Sequence, residues 1–502
     1  MSIPKSGLRR KLKNSFKDWI LDSTSHGFPK IFKTERLSLK VMWTIGLCIS
    51  IGFCSYLIAR SIMNYVQFGV TTTIRYKTEI PMDLPAVSIC QNLMFSTQKS
   101  AEFKENVWRK NGIEDIFNST FLSTFFASNY QESMNLIITE YFSRLNALNY
   151  NLNSEIKKTF GFNLEEIMIS CFIGTLECKK DDFIWYFDQF YGNCYLFNTG
   201  KFENGTVKEK YTQSDLGYFG GIRFEFLNKI KPVENYTISK GFHLTIFDSN
   251  STANSQKGLD ISPKVLTNIM LKKRKITQLP DPYSECLIDH SSFQSSEVYQ
   301  STLKKSETYS QDICYDICFQ EYLISKCNCS DPNKPFFKNV KNCLTIEEIF
   351  CVFIAYTEFM AKLDVKVTCS KHCPLECETV QYDYTSSFSE YPTNIQARGI
   401  LNYLSRRNIS NNYSLDEIIN NSLQVNIYHA QLKLETIEES KQMELVDLIS
   451  NIGGILGLFI GISILSFAEL IEICLEILFV IFETKNKAKI INVESKINQI
   501  KV

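Results

Sequence analysis

The chain has 502 residues, of which 54 are basic and 54 are acidic, so its formal net charge is zero. A neutral chain lacks the basic balance of nucleic-acid-binding proteins, and we expect no nucleic-acid partner. Aromatic residues make up 13% of the sequence, which favours a globular fold over a disordered chain.

Two uncharged apolar segments lie near opposite ends of the chain. Val41–Ala59 has 19 residues and Leu448–Ala468 has 21, close to the ~20 residues that a helix needs to cross a bilayer. Basic residues precede the first segment and follow the second, which places both termini in the cytoplasm by the positive-inside rule. The predicted parts are a cytoplasmic N-terminal arm (1–38), a first transmembrane helix (39–62), an extracellular domain (63–442), a second transmembrane helix (443–482) and a cytoplasmic C-terminal tail (483–502).

Fourteen of the 17 cysteines lie between the two apolar segments. A dense, even set of cysteines is typical of an oxidising compartment and predicts disulfides. The alternative, a set of metal sites, would need more histidines or repeated CxxC pairs, so we expect no metal. Glycosylation sequons also indicate an extracellular location. The candidate acceptors are Asn118, Asn204, Asn235, Asn250, Asn408, Asn412 and Asn420.

The extracellular segment mixes strand and helix signals and predicts a disulfide-rich α+β domain. The β-branched run Thr71–Ile80 indicates a strand, and Ser414-Leu-Asp-Glu417 has the form of a capping box that opens a short helix. Other predicted elements are helices within 101–146, at 309–326 and at Thr345–Leu363, short strands over 190–280, and a strand at Leu423–Leu434. Strand signals beside both apolar segments suggest a sheet whose first and last strands continue into the two membrane helices.

The second apolar segment is unusually rich in glycine, with Gly453, Gly454, Gly457 and Gly461 followed by Ser463. Glycines at this density either form a seam where helices pack closely or let the helix break so that backbone carbonyls line water. Both interpretations remain open from glycine spacing alone.

Three carboxylates follow the glycines, at Glu469, Glu472 and Glu476, and share one helical face. Carboxylates in or at the edge of a membrane helix indicate an ion pathway. The alternative is that the helix ends near Ala468 and the glutamates are cytosolic, but the apolar continuation Ile471–Phe482 argues against it. Phosphate-loop, HExxH and GxSxG motifs are absent, so we expect neither an enzyme nor a cofactor.

Several sequence pieces in a fixed order carry a family resemblance. They are Ser25-His26-Gly27, Leu84–Cys90, Gly192–Asn198, the cysteine-rich block from Cys286 to Cys377, and Asn451–Leu465. Together they cover nearly the whole chain, which resembles the degenerin/epithelial sodium channel superfamily. The resemblance implies a trimeric, amiloride-sensitive, sodium-selective channel in the plasma membrane, as a homotrimer or as a heterotrimer with related subunits.

The resemblance also implies a disulfide pattern that uses every cysteine of the extracellular segment. The implied pairs are Cys90–Cys194, Cys171–Cys178, Cys286–Cys377, Cys314–Cys373, Cys318–Cys369, Cys327–Cys351 and Cys329–Cys343.

By resemblance, Gly461-Ile462-Ser463 is the selectivity filter, with Ile462 where most relatives carry a small residue. If the Ile462 side chain faces the pore, it alters selectivity. The implied pore-lining residues are Ser450, Asn451, Gly454, Gly457, Glu469 and Glu472. Several relatives have Asp in place of Asn451, and its absence predicts weak calcium entry. The implied gating residues are His26, Gly27, Phe68 and Tyr283.

The stretches that correspond to acid sensors in the superfamily contain few acids here. Ile246–Ser251 keeps one carboxylate and Cys351–Thr357 has none. We therefore expect an extracellular amidated neuropeptide as the stimulus, and the sequence does not locate its site. Acid, mechanical or constitutive opening, and activity only in heteromers, remain alternatives. From other classes, a trimeric nucleotide-gated channel should show clustered lysines, and a two-pass adhesion receptor would need neither the glycines nor the glutamates.

Overall fold

The computed structural model describes most of the chain. The described residues are 13, 16–21, 23, 27–110, 143–149, 152–229, 240–288, 296–305, 309–335, 338–361, 363–406, 413–461, 463, 469, 471–475 and 477–482. Of the predicted site residues, His26, Ile462, Asn118, Asn235, Asn408 and Asn412 lie outside them.

The elements are numbered in chain order. The helices are α1 (Phe28–Lys33), α2 (Leu37–Val66), α3 (Gln98–Lys110), α4 (Ser154–Lys158), α5 (Leu164–Ile167), α6 (Glu297–Lys305), α7 (Gln311–Cys327), α8 (Ile346–Ala361), α9 (Leu363–His372), α10 (Asn394–Arg406), α11 (Leu415–Asn421) and α12 (Leu445–Phe459). Strands β1 to β9 are Val70–Thr78, Met82–Asp83, Ala86–Gln91, Met168–Ile173, Leu176–Glu177, Phe183–Asp188, Gly192–Phe197, Thr212–Gln213 and Ile222–Leu227. Strands β10 to β17 are Phe242–Phe247, Leu259–Ile261, Val265–Thr277, Cys286–Leu287, Leu375–Glu376, Glu378–Glu390, Ser422–His429 and Lys433–Lys441.

The chain divides into two compact units, one made of Met1–Thr71 with Ser440–Val502 and the other of Thr72–Glu439. In the first unit, α2 has 30 residues and is the one described helix that is long and apolar enough to cross a membrane. At about 1.5 Å per residue it is about 45 Å long, more than a bilayer core requires.

The predicted second transmembrane helix, 443–482, is interrupted within its described residues, which is one of the two alternatives that the glycine spacing leaves open. The helix α12 spans 15 residues and ends at Phe459, and residues 471–475 and 477–482 are helical again. The interruption coincides with Gly461, whose φ of 75° lies in the left-handed region that an α-helix cannot contain.

Two β-sheets enclose the main core of the second unit. One has eight strands in the order β1-β17-β12-β16-β9-β4-β5, with β15 also paired to β12, and the other has five in the order β11-β10-β3-β7-β6. Side chains alternate between the faces of a strand. On β16, Leu423, Val425 and Ile427 therefore enter the core with Phe197 and Phe224, while Gln424 and Asn426 point to the opposite face.

Helices α6 to α9 form a second core, which disulfides hold together. Cys314 and Cys318 lie one turn apart on α7 and bond to Cys373 and Cys369. The remaining pairs are Cys90–Cys194, Cys171–Cys178, Cys286–Cys377, Cys327–Cys351 and Cys329–Cys343. All seven are the pairs that the family resemblance implies.

Among the described residues the predicted elements correspond to observed ones, with one exception. Residues 111–142 of the predicted helical stretch 101–146 lie outside the described residues. The strand at Thr71–Ile80 is β1, the helices at 309–326 and Thr345–Leu363 are α7 and α8, and Ser414 caps α11 by accepting from the Glu417 backbone N–H at 3.1 Å. The single strand predicted at Leu423–Leu434 is instead two strands, β16 and β17, separated by a turn. The strands next to the two apolar helices, β1 and β17, belong to one sheet, as predicted, and they are neighbours in it.

Candidate ion pathway and gating elements

The helix α12 has one face that packs and one face that does not. On the packed face, Ile452 and Phe459 are half-buried, and the Phe459 ring centroid lies 5.4 Å from that of Phe53 on α2. On the other face, Ser450, Gly454 and Gly457 recur at spacings of four and three residues and are exposed in the single chain. The result is a helix with a small, partly polar stripe on its unpacked side.

The stripe contains three of the predicted pore-lining residues, and a fourth, Asn451, lies exposed at its edge. An added Cβ at Gly454 would meet no heavy atom within 4 Å, so the face is open in the single chain. Small side chains on such a face allow several copies of a helix to approach a common axis closely.

Gly461, the first residue of the predicted filter motif, lies two residues after the end of α12. The Gly461 N–H donates to the Gly457 carbonyl oxygen at 3.2 Å, after which the positive φ of Gly461 turns the chain out of the helix. A helix that ends in this way leaves its last carbonyl groups without intrahelical donors. Ser463 is exposed just beyond this turn, whereas Ile462 between them lies outside the described residues.

The carboxylates beyond the break lie on helical chain. Glu469 is half-buried and Glu472 is exposed in the single chain. Both are therefore in a helical segment that follows the interruption, in agreement with the apolar continuation Ile471–Phe482. Glu476 lies outside the described residues.

Gly27 has a structural reason to be glycine. Its φ of 82° lies in the left-handed region, and it starts α1. A Cβ at this position would lie 3.9 Å from Trp43 Cε3 and 3.8 Å from Leu47 Cδ1, both on α2. The residue thus positions the short helix α1 beside the membrane helix.

The two aromatic residues predicted to couple the units belong to different ones. Phe68 follows α2 with a φ of 49° and lies 6.3 Å from the Tyr65 ring, measured between ring centroids. Tyr283 is half-buried in the connection between β12 and β13, where its N–H donates to the Pro280 carbonyl oxygen at 3.0 Å. The gating role of Phe68 and Tyr283 stays a prediction.

Three of the predicted glycosylation sites fall on described residues. Asn204, Asn250 and Asn420 are all exposed in the second unit, Thr72–Glu439. At Asn204 the side-chain oxygen accepts from the Thr206 backbone N–H at 3.0 Å, so this sequon forms a tight turn at the surface.

A buried histidine, His429, is the last residue of β16. His429 is fully buried, its Nε2 lies 3.0 Å from the Asp83 carbonyl oxygen, and its backbone N–H donates to Gln213 at 2.8 Å. Because the carbonyl can only accept, Nε2 is the protonated nitrogen of the neutral ring. Burial lowers the pKa of His429, and the nearby Lys273 ammonium acts in the same direction.

Sequence reasoning missed a run of four cations on β12, from Lys272 to Lys275. Alternation along the strand sends Lys272 and Arg274 to one face and Lys273 to the other, where it pairs with Glu79 at 3.1 Å. Four consecutive cations within a predicted strand could have indicated a charged cluster, because charges inside a sheet need partners of opposite charge. The sequence does not show which carboxylates supply them.

Comparison with known proteins agrees with these features. The profile of the amiloride-sensitive sodium channel family matches residues 20–473. The chain is 26% identical to acid-sensing ion channel 4-B of Danio rerio, over 96% of this chain and 79% of that one. It is 25% identical to acid-sensing ion channel 1 of Gallus gallus, over 91% and 82% of the two chains.

A second group of relatives consists of epithelial sodium channel subunits. The gamma subunit of Xenopus laevis is 24% identical over 64% of this chain and 47% of that one. The family match spans both apolar segments and the whole disulfide-bonded unit between them. The chain therefore belongs to the amiloride-sensitive sodium channel family, within the degenerin/epithelial sodium channel superfamily, whose members are ion channels and not enzymes.

Proposed function

We propose that this chain is a subunit of a trimeric, amiloride-sensitive, sodium-selective channel of the plasma membrane, opened by an extracellular neuropeptide. The supporting observation is the unpacked stripe of α12, which ends at the left-handed Gly461. Three copies of this stripe around an axis would give a narrow path lined by Ser450, Gly454 and Gly457. The carbonyls at the interrupted helix end would replace water around a cation.

The choice of a peptide stimulus rests on the scarcity of acids where relatives sense protons. Between residues 246 and 251 the single carboxylate is Asp248, and it already accepts from the Asn250 backbone N–H at 3.0 Å. The segment 351–357 of α8 carries no acid, and its Phe353 and Ile354 are exposed. Proton sensing by repulsion between carboxylates requires at least two close together.

The stimulus can be identified by two-electrode recording from oocytes that express this chain alone. Short amidated cationic peptides, pH steps and amiloride are applied in turn. We expect a peptide-evoked sodium current that amiloride blocks. A current evoked by acid alone would replace the peptide proposal with proton gating. Silence that ends on co-expression of a related subunit would make the chain a component of heteromers.

The pore assignment has its own test with a matched control. Ser450→Cys places a thiol on the unpacked face, and Ile452→Cys places one on the face that packs on α2. A charged thiol reagent should block current through the Ser450→Cys channel and leave the Ile452→Cys channel unchanged. Unsubstituted channels must be treated in parallel, because Cys48 and Cys474 are free and exposed. Equal sensitivity of both variants would contradict the assignment.

A further inference from the structure

Glu435 on β17 is a carboxylate held by groups from two other strands. Its side chain is 6% exposed. Lys272 Nζ lies 2.7 Å and Arg274 Nε 3.1 Å from Oε2, and the Tyr76 hydroxyl donates to Oε1 at 3.1 Å. A second carboxylate, Asp383, lies 2.9 Å from the other end of the Arg274 guanidinium.

The strand register brings these groups together. Arg274 and Glu435 are direct partners in the parallel pairing of β12 and β17, and Lys272 and Asp383 are partners in the antiparallel pairing of β12 and β15. Tyr76 reaches the same carboxylate from β1. The cluster therefore joins four strands of the eight-stranded sheet on one face.

Two of those strands have a special place in the chain. β1 begins four residues after α2 ends, and β17 ends four residues before α12 begins. These two connections are the covalent links between the apolar helices and the strands of the sheet. Glu435 is thus a charged contact between the strands that continue into the membrane helices and β12, which is central in the sheet.

We propose that Glu435, with Lys272, Arg274 and Tyr76, fastens β1 and β17 to the centre of the sheet, acts as a gating element, and keeps this junction intact in mildly acid medium. The gating part rests on the proposed function. The stability part does not.

The charge balance explains the resistance to acid. The groups that face Glu435 are the ammonium of Lys272 and the guanidinium of Arg274 on β12, and the hydroxyl of Tyr76 on β1. The hydrogen bond from Lys272, aided by those from Arg274 and Tyr76, holds the pKa of Glu435 below its ordinary value, against burial, which raises it. A carboxylate with a lowered pKa stabilises the fold above its ordinary pKa, and that stability is lost only as the pH falls through the lowered value.

The test removes the two cations and measures whether the apparent Tm of the variant rises or falls, relative to the unsubstituted chain, when the pH is lowered. The double variant is Lys272→Met with Arg274→Gln, which removes two positive charges. The control is Lys275→Met, which removes one positive charge from the same strand at a pair whose side chains are 41% and 64% exposed. The apparent Tm of the full-length chain in detergent is measured at about pH 7.5 and about pH 5.5, both above the ordinary pKa of a glutamate carboxyl. Each variant is compared with the unsubstituted chain at the same pH.

The control should behave like the unsubstituted chain at both pH values. The double variant should lose about 4 °C or more at the higher pH. At the lower pH the difference in Tm between the double variant and the unsubstituted chain should become smaller. The reason is that a buried carboxylate without cations has a raised pKa and becomes neutral. A double variant whose Tm and acid response match those of the control would overturn the proposal.

Poor folding of the double variant is also informative. Adding Glu435→Gln removes the uncompensated carboxylate, and surface expression of the triple variant should then recover, since breaking one side of a buried pair is worse than removing both. Expression that stays equally low would contradict the proposed pairing.

The gating part is tested by Glu435→Gln alone. We expect the half-maximal peptide concentration to shift by about tenfold in either direction, against no shift for Lys275→Met. An unshifted response with normal surface expression would reject the gating role. If the unsubstituted chain gives no peptide current, the proposed function fails while the Tm comparison still decides the stability role.

Discussion

His429 and Gly461 are two positions at which a single residue type accounts for a local property of the protein. His429 is buried and neutral because its Nε2–H donates to a carbonyl oxygen and its Nδ1 has no hydrogen-bond partner among the described residues. Gly461 ends α12 because its φ of 75° is open to glycine at little cost. At His429 the surroundings set the protonation state of the side chain. At Gly461 the absence of a side chain permits the backbone conformation.

His429 predicts an acid-labile component of stability. Its pKa is lowered in the fold, so the unfolded chain binds the proton more readily, and stability falls as the pH drops below the ordinary value of about 6.5. His429→Gln keeps a donor for the Asp83 carbonyl and removes the titration. The apparent Tm of the full-length chain should therefore fall less between about pH 7.5 and about pH 5.5 in this variant. An identical fall in both proteins would rule out His429 as the source.

Gly461→Ala should disturb the end of α12. A Cβ in the left-handed region costs about 1–2 kcal/mol, so the turn after the helix would relax toward another conformation. We expect reduced current and an altered sodium-to-potassium permeability ratio at normal surface expression. Gly453→Ala is the control, because Gly453 is helical and an added Cβ meets no atom within 4 Å. Equal effects of the two substitutions would show that small size, and not the positive φ, matters.

Among the secondary-structure elements, the disulfide-linked helices depend most on covalent bonds. Two bridges join α7 to Cys369 on α9 and to Cys373, the residue after α9 ends, and they fix the two helices side by side. Apolar side chains such as Ile317 and Leu323 then fill the space between the helices. By contrast, α12 leaves one face unpacked, and the proposed ion pathway runs along that face.

Removing one bridge of this ladder should be costly. Cys314→Ser with Cys373→Ser deletes a bond that closes 59 residues, at a cost of about 2–5 kcal/mol. Surface expression, measured by biotinylation, should fall strongly. Cys48→Ser changes a free cysteine and should leave expression unchanged. Normal expression of the double variant would show that helix packing alone maintains this core.

Within the whole molecule, the extracellular unit depends on the core between its two sheets. Phe224 is fully buried there and contacts Phe183, Phe197 and Phe226. The same core holds β12 and β16 in the sheet that contains the charged junction. The apolar core between the two sheets therefore also stabilises the strand pairing on which the charged junction depends.

Phe224→Ala should destabilise the unit by about 3–5 kcal/mol, the usual cost of removing a buried phenylalanine side chain. The apparent Tm of the full-length chain should fall accordingly. Phe219→Ala serves as the matched control, since this ring is 66% exposed. Similar Tm values for the two variants would contradict the placement of the core.

Much of this architecture could be predicted from the sequence because its signals are local. Two uncharged apolar runs, an even cysteine count and the Ser414–Glu417 capping box each depend on residues close together in the chain. The order of the motifs, from Leu84–Cys90 to Asn451–Leu465, then led to the family and to the disulfide pairs.

The tertiary structure alone decided how distant residues meet. Arg274 and Glu435 are 161 residues apart, and their contact depends on the register between β12 and β17, which no local pattern specifies. The division of Leu423–Leu434 into two strands has the same origin, because a turn there lets β16 and β17 pair in succession along β12. Local chemistry determines which elements form, whereas long-range pairing and burial determine which charges become partners.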